Sequence, residues 1–243
     1  MAAELALGGV TYLANCAFKP ASESPRARAV WLQSVARRLL RIFCHEVSVS
    51  GPVPESGLLV SNHLSYVDVL VLASLTPAVF VAKREVRGWP VFGWFARLGG
   101  TMFIHRERRT HVSVINAEVQ AVLGRGLLVI VFPEGTSSGG QTVLPFKSSL
   151  LEPAVRQPHP LWACAVGYEL VDGDVSEEVC YWKDMTFAPH LVNLFGKRSL
   201  RAKVKFARVQ NGGEDRKQLA RRLHAEVLRL KGAARTTKQA IHG

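Results

Sequence analysis

From about residue 47 onward, apolar and polar positions fall into short blocks whose period changes along the chain. "HEVSVSG" (45–51) and "GLLVSN" (57–62) read as strands, and "VDVLVLASL" (67–75) as a helix. "AVFVAKREV" (78–86) reads as a strand, "VFGWFARLGG" (91–100) as a helix closed by glycine, and "TMFIHR" (101–106) as a strand. An amphipathic helix follows over 109–126, with Val114, Ala117, Ala121 and Val122 along a face. "LLVIVFPEGT" (127–136) is a buried strand entering a turn, and "LWACAVGYEL" (161–170) is another strand. Strands alternating with helices of this length predict an α/β fold, a mostly parallel sheet flanked by helices. In such sheets ligands gather where strands end and loops begin.

The two ends of the chain are patterned differently. "ALGGVTYLANCAF" (6–18) is mildly apolar but only about thirteen residues long, where a bilayer span needs about twenty. It also lacks the basic start and cleavage site of a secretory signal. In "SPRARAVWLQSVARRLLRIFCHEV" (24–47), Leu32, Val35, Leu39, Ile42 and Phe43 form one stripe. Arg37, Arg38 and Arg41 lie beside or opposite it, and Trp31 adds an interfacial aromatic. This pattern suits an amphipathic helix in the headgroup region, and equally one docked on the main domain. Near the C-terminus, Val204, Phe206 and Val209 alternate with cations, which predicts an edge strand. Leu219, Leu223, Val227 and Leu230 then mark a basic amphipathic helix packed on the domain. The expected organisation is an N-terminal helical membrane-association segment (1–46), a catalytic domain (47–232) and a flexible basic tail (233–243).

Net charge is +12. That excess favours anionic partners: a membrane surface, nucleic acid, or phosphorylated or CoA-linked substrates. No nucleic-acid-binding motif accompanies it. The four cysteines, Cys16, Cys44, Cys164 and Cys180, are widely spaced, which fits a reducing compartment and neither a zinc site nor a disulfide framework.

The chemistry sits at the predicted strand ends. His63 and Asp68 are five residues apart, so they do not share one face of a regular helix. With His63 in the turn after its strand, Asp68 can return to it from the first helical turn. A carboxylate on one ring nitrogen fixes the tautomer and leaves the other nitrogen to take a proton from an alcohol. Arg106 follows the strand "MFI" and offers a bidentate grip on a phosphate. Glu134, the Gly135 backbone and the Thr136 hydroxyl sit in a proline-braced turn that can address a polar headgroup. A competing pattern is G-T-S-S-G (135–139), a G-x-S-x-G match with Ser137 as nucleophile and Asp184 and His190 downstream. Such an elbow opens directly into a helix, whereas "GQTVLPFK" (140–147) has no helical pattern.

Taken in order, N-H-L-S-Y-V-D (62–68), G-T-M-F-I-H-R (100–106), F-P-E-G-T-S-S (132–138) and V-L-P-F-K-S-S-L (143–150) resemble the signature blocks of the glycerolipid acyltransferases. The type member is 1-acylglycerol-3-phosphate acyltransferase. The resemblance implies a membrane-associated enzyme that moves a fatty acyl chain from acyl-CoA or acyl carrier protein to a lysolipid hydroxyl. By that pattern His63 is the general base, Asp68 its partner, and Arg106, Glu134, Gly135 and Thr136 belong to the acceptor site. No metal or bound cofactor is implied, and the implied location is peripheral or monotopic on the cytoplasmic face of the cell membrane. Three positions depart from the pattern: Ser137 replaces the usual Arg, His105 a frequent Asp, and Ala163 a usual Pro. A phosphomonoester rewards fixed guanidinium partners, so the loss at Ser137 opens an alternative acceptor, lyso-ornithine lipid. The run 132–150, with "YWKDMTFAPHL" (181–191), resembles that branch. Lys83, Arg84 or Lys147 could restore the charge, which keeps 1-acylglycerol-3-phosphate as the first expected acceptor.

Overall fold

The computed structural model describes residues 2–16, 24–105, 109–197 and 200–232. Arg106 and the 233–243 tail lie outside the described residues. Two helices, α1 (Ala2–Asn15) and α2 (Ser24–Phe43), lead into β1 (Cys44–Ser50), β2 (Gly57–Ser61) and α3 (Val67–Leu75). Next come β3 (Ala78–Lys83), a 3-10 turn (Arg84–Gly88), α4 (Phe92–Leu98), β4 (Met102–Ile104), α5 (Arg109–Leu123) and β5 (Leu128–Val131). A second 3-10 turn (Ser148–Leu150) precedes α6 (Glu152–Arg156), β6 (Leu161–Glu169), α7 (Val175–Glu178), α8 (Phe187–Gly196), β7 (Leu200–Val209) and α9 (Arg216–Gly232).

The seven strands form one sheet in the order β1-β7-β6-β2-β5-β3-β4. Every neighbouring pair is parallel except β6 with β7. The central strands have no polar face, as expected of a parallel sheet covered on both sides. Leu59, Leu128 and Ile130 point into one core with α2 and α3. Leu58, Val60, Val129 and Val131 point into the other, against α5 and α9.

One expectation changes, and one choice left open is decided. β7 is an interior strand between β6 and β1, and β1 holds the edge. Its alternation arose because one face, with Leu200, Ala202, Val204 and Phe206, is buried while Arg201 and Lys203 on the other reach water. The open choice concerns residues 24–43, which pack on the main domain as the second of their two readings has it. Trp31, Leu32, Val35, Leu39 and Phe43 share one core with Leu59, Leu72 and Ile130. Trp31 is buried and its indole donates to the Gly8 carbonyl at 2.9 Å, rather than anchoring at an interface. Arg37 Nε donates at 2.7 Å to the Ser74 carbonyl, an orphan acceptor in the last turn of α3. Among the described residues no helix is long and apolar enough to cross a membrane.

Candidate active site

β2 and β5 run side by side in parallel, so the loops that leave them open on the same edge of the sheet. His63 lies in the first loop, and its Nδ1 meets Asp68 Oδ2 at 2.8 Å. The same oxygen accepts the Leu64 amide at 2.7 Å and the Ser65 amide at 3.0 Å. Asp68 Oδ1 accepts the Tyr168 hydroxyl at 2.6 Å. Asp68 has no exposed side-chain surface, and it sits in the first turn of α3, where the helix dipole favours an anion. Its other partners are all donors, so Nδ1 donates as well and Nε2 is left for other work. Burial, followed by the Asp68 charge, pushes the Tyr168 phenol far above its ordinary value, which keeps its proton in place as a donor.

The second loop locks the first. Glu134 Oε1 accepts the His63 amide at 2.7 Å, and Oε2 accepts the Leu144 amide at 2.9 Å. Ser138 returns a backbone bond to the His63 carbonyl at 3.0 Å. The His63 ring stacks on Phe132, with centroids 4.2 Å apart. On the other flank, the Asn62 side chain donates to the Val166 carbonyl at 2.9 Å and accepts its amide at 2.8 Å. It thereby extends the β2–β6 pairing by one residue, up to the His63 turn.

A cavity of about 280 Å³ opens beside His63, lined by Phe80, Trp89, Phe92 and Phe95, with Gly135, Thr136, Ser137, Lys83 and Lys183 among its polar residues. Most of the wall is apolar, with room for a hydrocarbon chain. The wall runs from the His63 turn back to Leu32 of α2, so that helix helps to enclose it.

The acyltransferase family profile matches residues 45–167, which include His63, Asp68 and the Glu134 turn. The lyso-ornithine lipid O-acyltransferase of Pseudomonas aeruginosa is 33% identical over 204 residues, covering 83% of this chain and 78% of its own. The 1-acyl-sn-glycerol-3-phosphate acyltransferase of Neisseria gonorrhoeae is also 33% identical, covering 72% of this chain and 69% of its own. This chain belongs to the acyltransferase family. The crystal structure of the 1-acyl-sn-glycerophosphate acyltransferase from Thermotoga maritima superposes on this acyltransferase with a TM-score of 0.69, at 20% identity. It covers 96% of this chain and 90% of its own, and shows the same fold.

The acyltransferase brings together some of the sequence-derived site residues and separates others. His63, Asp68, Gly135, Thr136 and Lys83 meet at the cavity or directly behind it. Glu134 is 3% exposed with both oxygens on backbone amides, so it braces the His63 turn rather than reaching a headgroup. Lys147 is exposed and does not line the cavity, and Arg84 is bonded to His105 instead. The hydrolase pattern is not assembled. Ser137 donates to the Tyr181 carbonyl, and His190 is held by the Tyr66 hydroxyl (2.9 Å) and the Cys180 carbonyl (3.1 Å). The chain leaves the turn as an extended loop with no helix.

Sequence reading missed two residues. Tyr168 lies a hundred positions from Asp68, in a strand predicted from its apolar run alone. The available signal was one hydroxyl on the otherwise apolar run of β6. Lys183 stands at the cavity with φ of 53° and its ammonium 3.8 Å from the Trp182 ring centroid. The run 181–191 that contains it resembles the lyso-ornithine lipid branch, but that resemblance does not single out Lys183 itself.

Proposed function

We propose that this acyltransferase is a lysolipid O-acyltransferase in which His63 is the general base. The observation that carries the reading is the Tyr168–Asp68–His63 chain ending at an apolar cavity. His63 Nε2 takes the proton of a lysolipid hydroxyl, and the oxygen attacks the thioester carbonyl of acyl-CoA or acyl carrier protein. Collapse of the tetrahedral intermediate breaks the C–S bond, and the imidazolium returns its proton to the leaving thiolate. Asp68 holds the tautomer and stabilises the imidazolium while it exists. No acyl-enzyme is needed. Burial pushes the Cys180 thiol up to about 12, which keeps it a poor nucleophile.

For the acceptor we place lyso-ornithine lipid ahead of 1-acylglycerol-3-phosphate. Ser137 stands where an arginine fork would grip a phosphomonoester, and Lys83 and Lys183 are the cations lining the cavity among the described residues. Of the three cations that could restore that charge, Lys83 alone reaches the cavity, while Arg84 is bonded to His105 and Lys147 stays outside it, which reverses the order expected from the sequence. The two lysines also keep the phosphate acceptor as the second reading. The expected setting is a peripheral position on the cytoplasmic face of an anionic membrane. Supporting it, α1 exposes Leu7, Val10 and Leu13, next to the exposed Trp94 of α4.

The test is acylation by the purified enzyme, with one labelled acyl-CoA, of lyso-ornithine lipid, 1-acylglycerol-3-phosphate and lysophosphatidylglycerol. Diacyl product forming fastest with lyso-ornithine lipid is the expected result. A clear preference for 1-acylglycerol-3-phosphate would reverse the order, and no product with any acceptor would end the reading.

A further inference from the structure

A second groove, of about 430 Å³, opens at the β4 edge of the sheet between α2, α4 and α5. Arg28 of α2, Arg87 of the turn before α4 and Arg97 of α4 stand around it. Met102, Phe103, Val114 and Ile115 give it an apolar lining, and Glu118 is the one carboxylate there among the described residues. None of the three guanidiniums forms an ion pair among the described residues, and Arg28 Nε is buried with nothing to donate to. An unmatched buried donor is costly, and a planar fork beside two more is matched by an oxyanion that accepts from all three.

The surroundings narrow the anion. Trp94 and Val91 are exposed on and beside α4, and Val30 is exposed two residues from Arg28 on α2. α1 lies against this face, with Gly9 against the Trp94 ring, and exposes Leu7, Val10 and Leu13. Cationic and apolar side chains thus leave the same helices, as in segments that seat in a bilayer's headgroup layer. Thr101 is in the wall of both this groove and the His63 cavity, so the two openings adjoin.

We infer that the Arg28–Arg87–Arg97 groove binds the phosphate of an anionic phospholipid in the surface the enzyme works on. The apolar lining takes the start of its acyl chains, and the bound lipid fixes the His63 cavity against the bilayer. The inference rests on the membrane-surface reading above.

The experiment measures binding of the full chain to vesicles of pure phosphatidylcholine and of equimolar phosphatidylcholine and phosphatidylglycerol. R28Q/R87Q/R97Q and the charge-preserving R28K/R87K/R97K are compared with the unaltered protein. Both triple variants are expected to lose about tenfold or more in affinity for the phosphatidylglycerol vesicles. The single variant R97Q, at an exposed helix position, should lose about fivefold and covers the case in which a triple variant does not fold. Wild-type affinity in R28K/R87K/R97K would overturn the site in favour of simple field attraction. A rise in KM for acyl-CoA in detergent, with vesicle binding intact, would also overturn it and assign the groove to the donor's phosphates. Failure of acyl transfer by the unaltered protein is a separate result that bears on the proposed function alone.

Discussion

Asp68 carries the His63 ring, two backbone amides and the Tyr168 hydroxyl while fully out of water. A buried carboxylate is tolerable only when its lone pairs are filled, so each donor also holds the His63 ring in place. Tyr168→Phe removes a hydrogen bond to a charge, worth about 1.5–3 kcal/mol. It should lower the denaturant midpoint and reduce kcat by about tenfold, with little change in the KM of the acyl donor. Unchanged kcat at full stability loss would reduce Tyr168 to a packing residue. Glu134→Gln replaces an acceptor oxygen with an NH2 group that must face either the His63 or the Leu144 amide. The expected cost is about 1–3 kcal/mol of stability and a fall in kcat, read from urea unfolding and initial rates. Of these residues, His63 and Asp68 were legible because turn and helix bring them together locally. Glu134 was legible as a site residue but not as a brace, since spacing does not reveal which way a carboxylate points. Tyr168 was not legible because its partner sits on α3, a hundred positions away in the chain.

At the scale of elements, α2 shows how far a hydrophobic pattern goes. Of its stripe, Leu32, Val35, Leu39 and Phe43 are buried and Ile42 is exposed, yet the same stripe fits a lipid surface and a protein core, and only the packing against α3 separates the two. Trp31 stacks on Phe95 with centroids 5.7 Å apart and meets Tyr12 edge-on at 5.3 Å, tying α1, α2 and α4 together. Trp31→Ala should therefore cost about 3–5 kcal/mol in unfolding experiments. An indole bound at a lipid interface would cost little in the absence of lipid. The same limit explains β7, where alternation reports a half-exposed strand and is silent on how many neighbours it has. Lys83 ends β3 at the site edge and was legible there, while Lys147 was proposed from nearness in sequence that the fold does not turn into nearness at the cavity.

For the whole molecule, the sheet places the β2 and β5 loops on one edge, so the His63 turn inherits the stability of the central core. α8 closes this side, and its His190 joins the Tyr66 hydroxyl to the Cys180 carbonyl. Burial holds His190 below its ordinary value near 6.5. Below that pH the unfolded chain takes up a proton that the folded protein resists, so stability falls as pH drops. The slope approaches about 1.4 kcal/mol per pH unit at most. His190→Gln should flatten it, a difference visible in urea midpoints taken at about pH 7.5 and about pH 5.5. An equal acid sensitivity in both proteins would place the sensitive group elsewhere.

The central claim is direct transfer from thioester to alcohol with His63 as base. It is tested most directly by the initial rate of labelled diacyl lipid formation from acyl-CoA and lysolipid by His63→Ala and Ser137→Ala side by side. His63→Ala is expected to fall by about 10²–10⁴-fold while Ser137→Ala retains most of the rate. Survival of transfer in His63→Ala, with loss in Ser137→Ala, would contradict the account and point to a serine nucleophile.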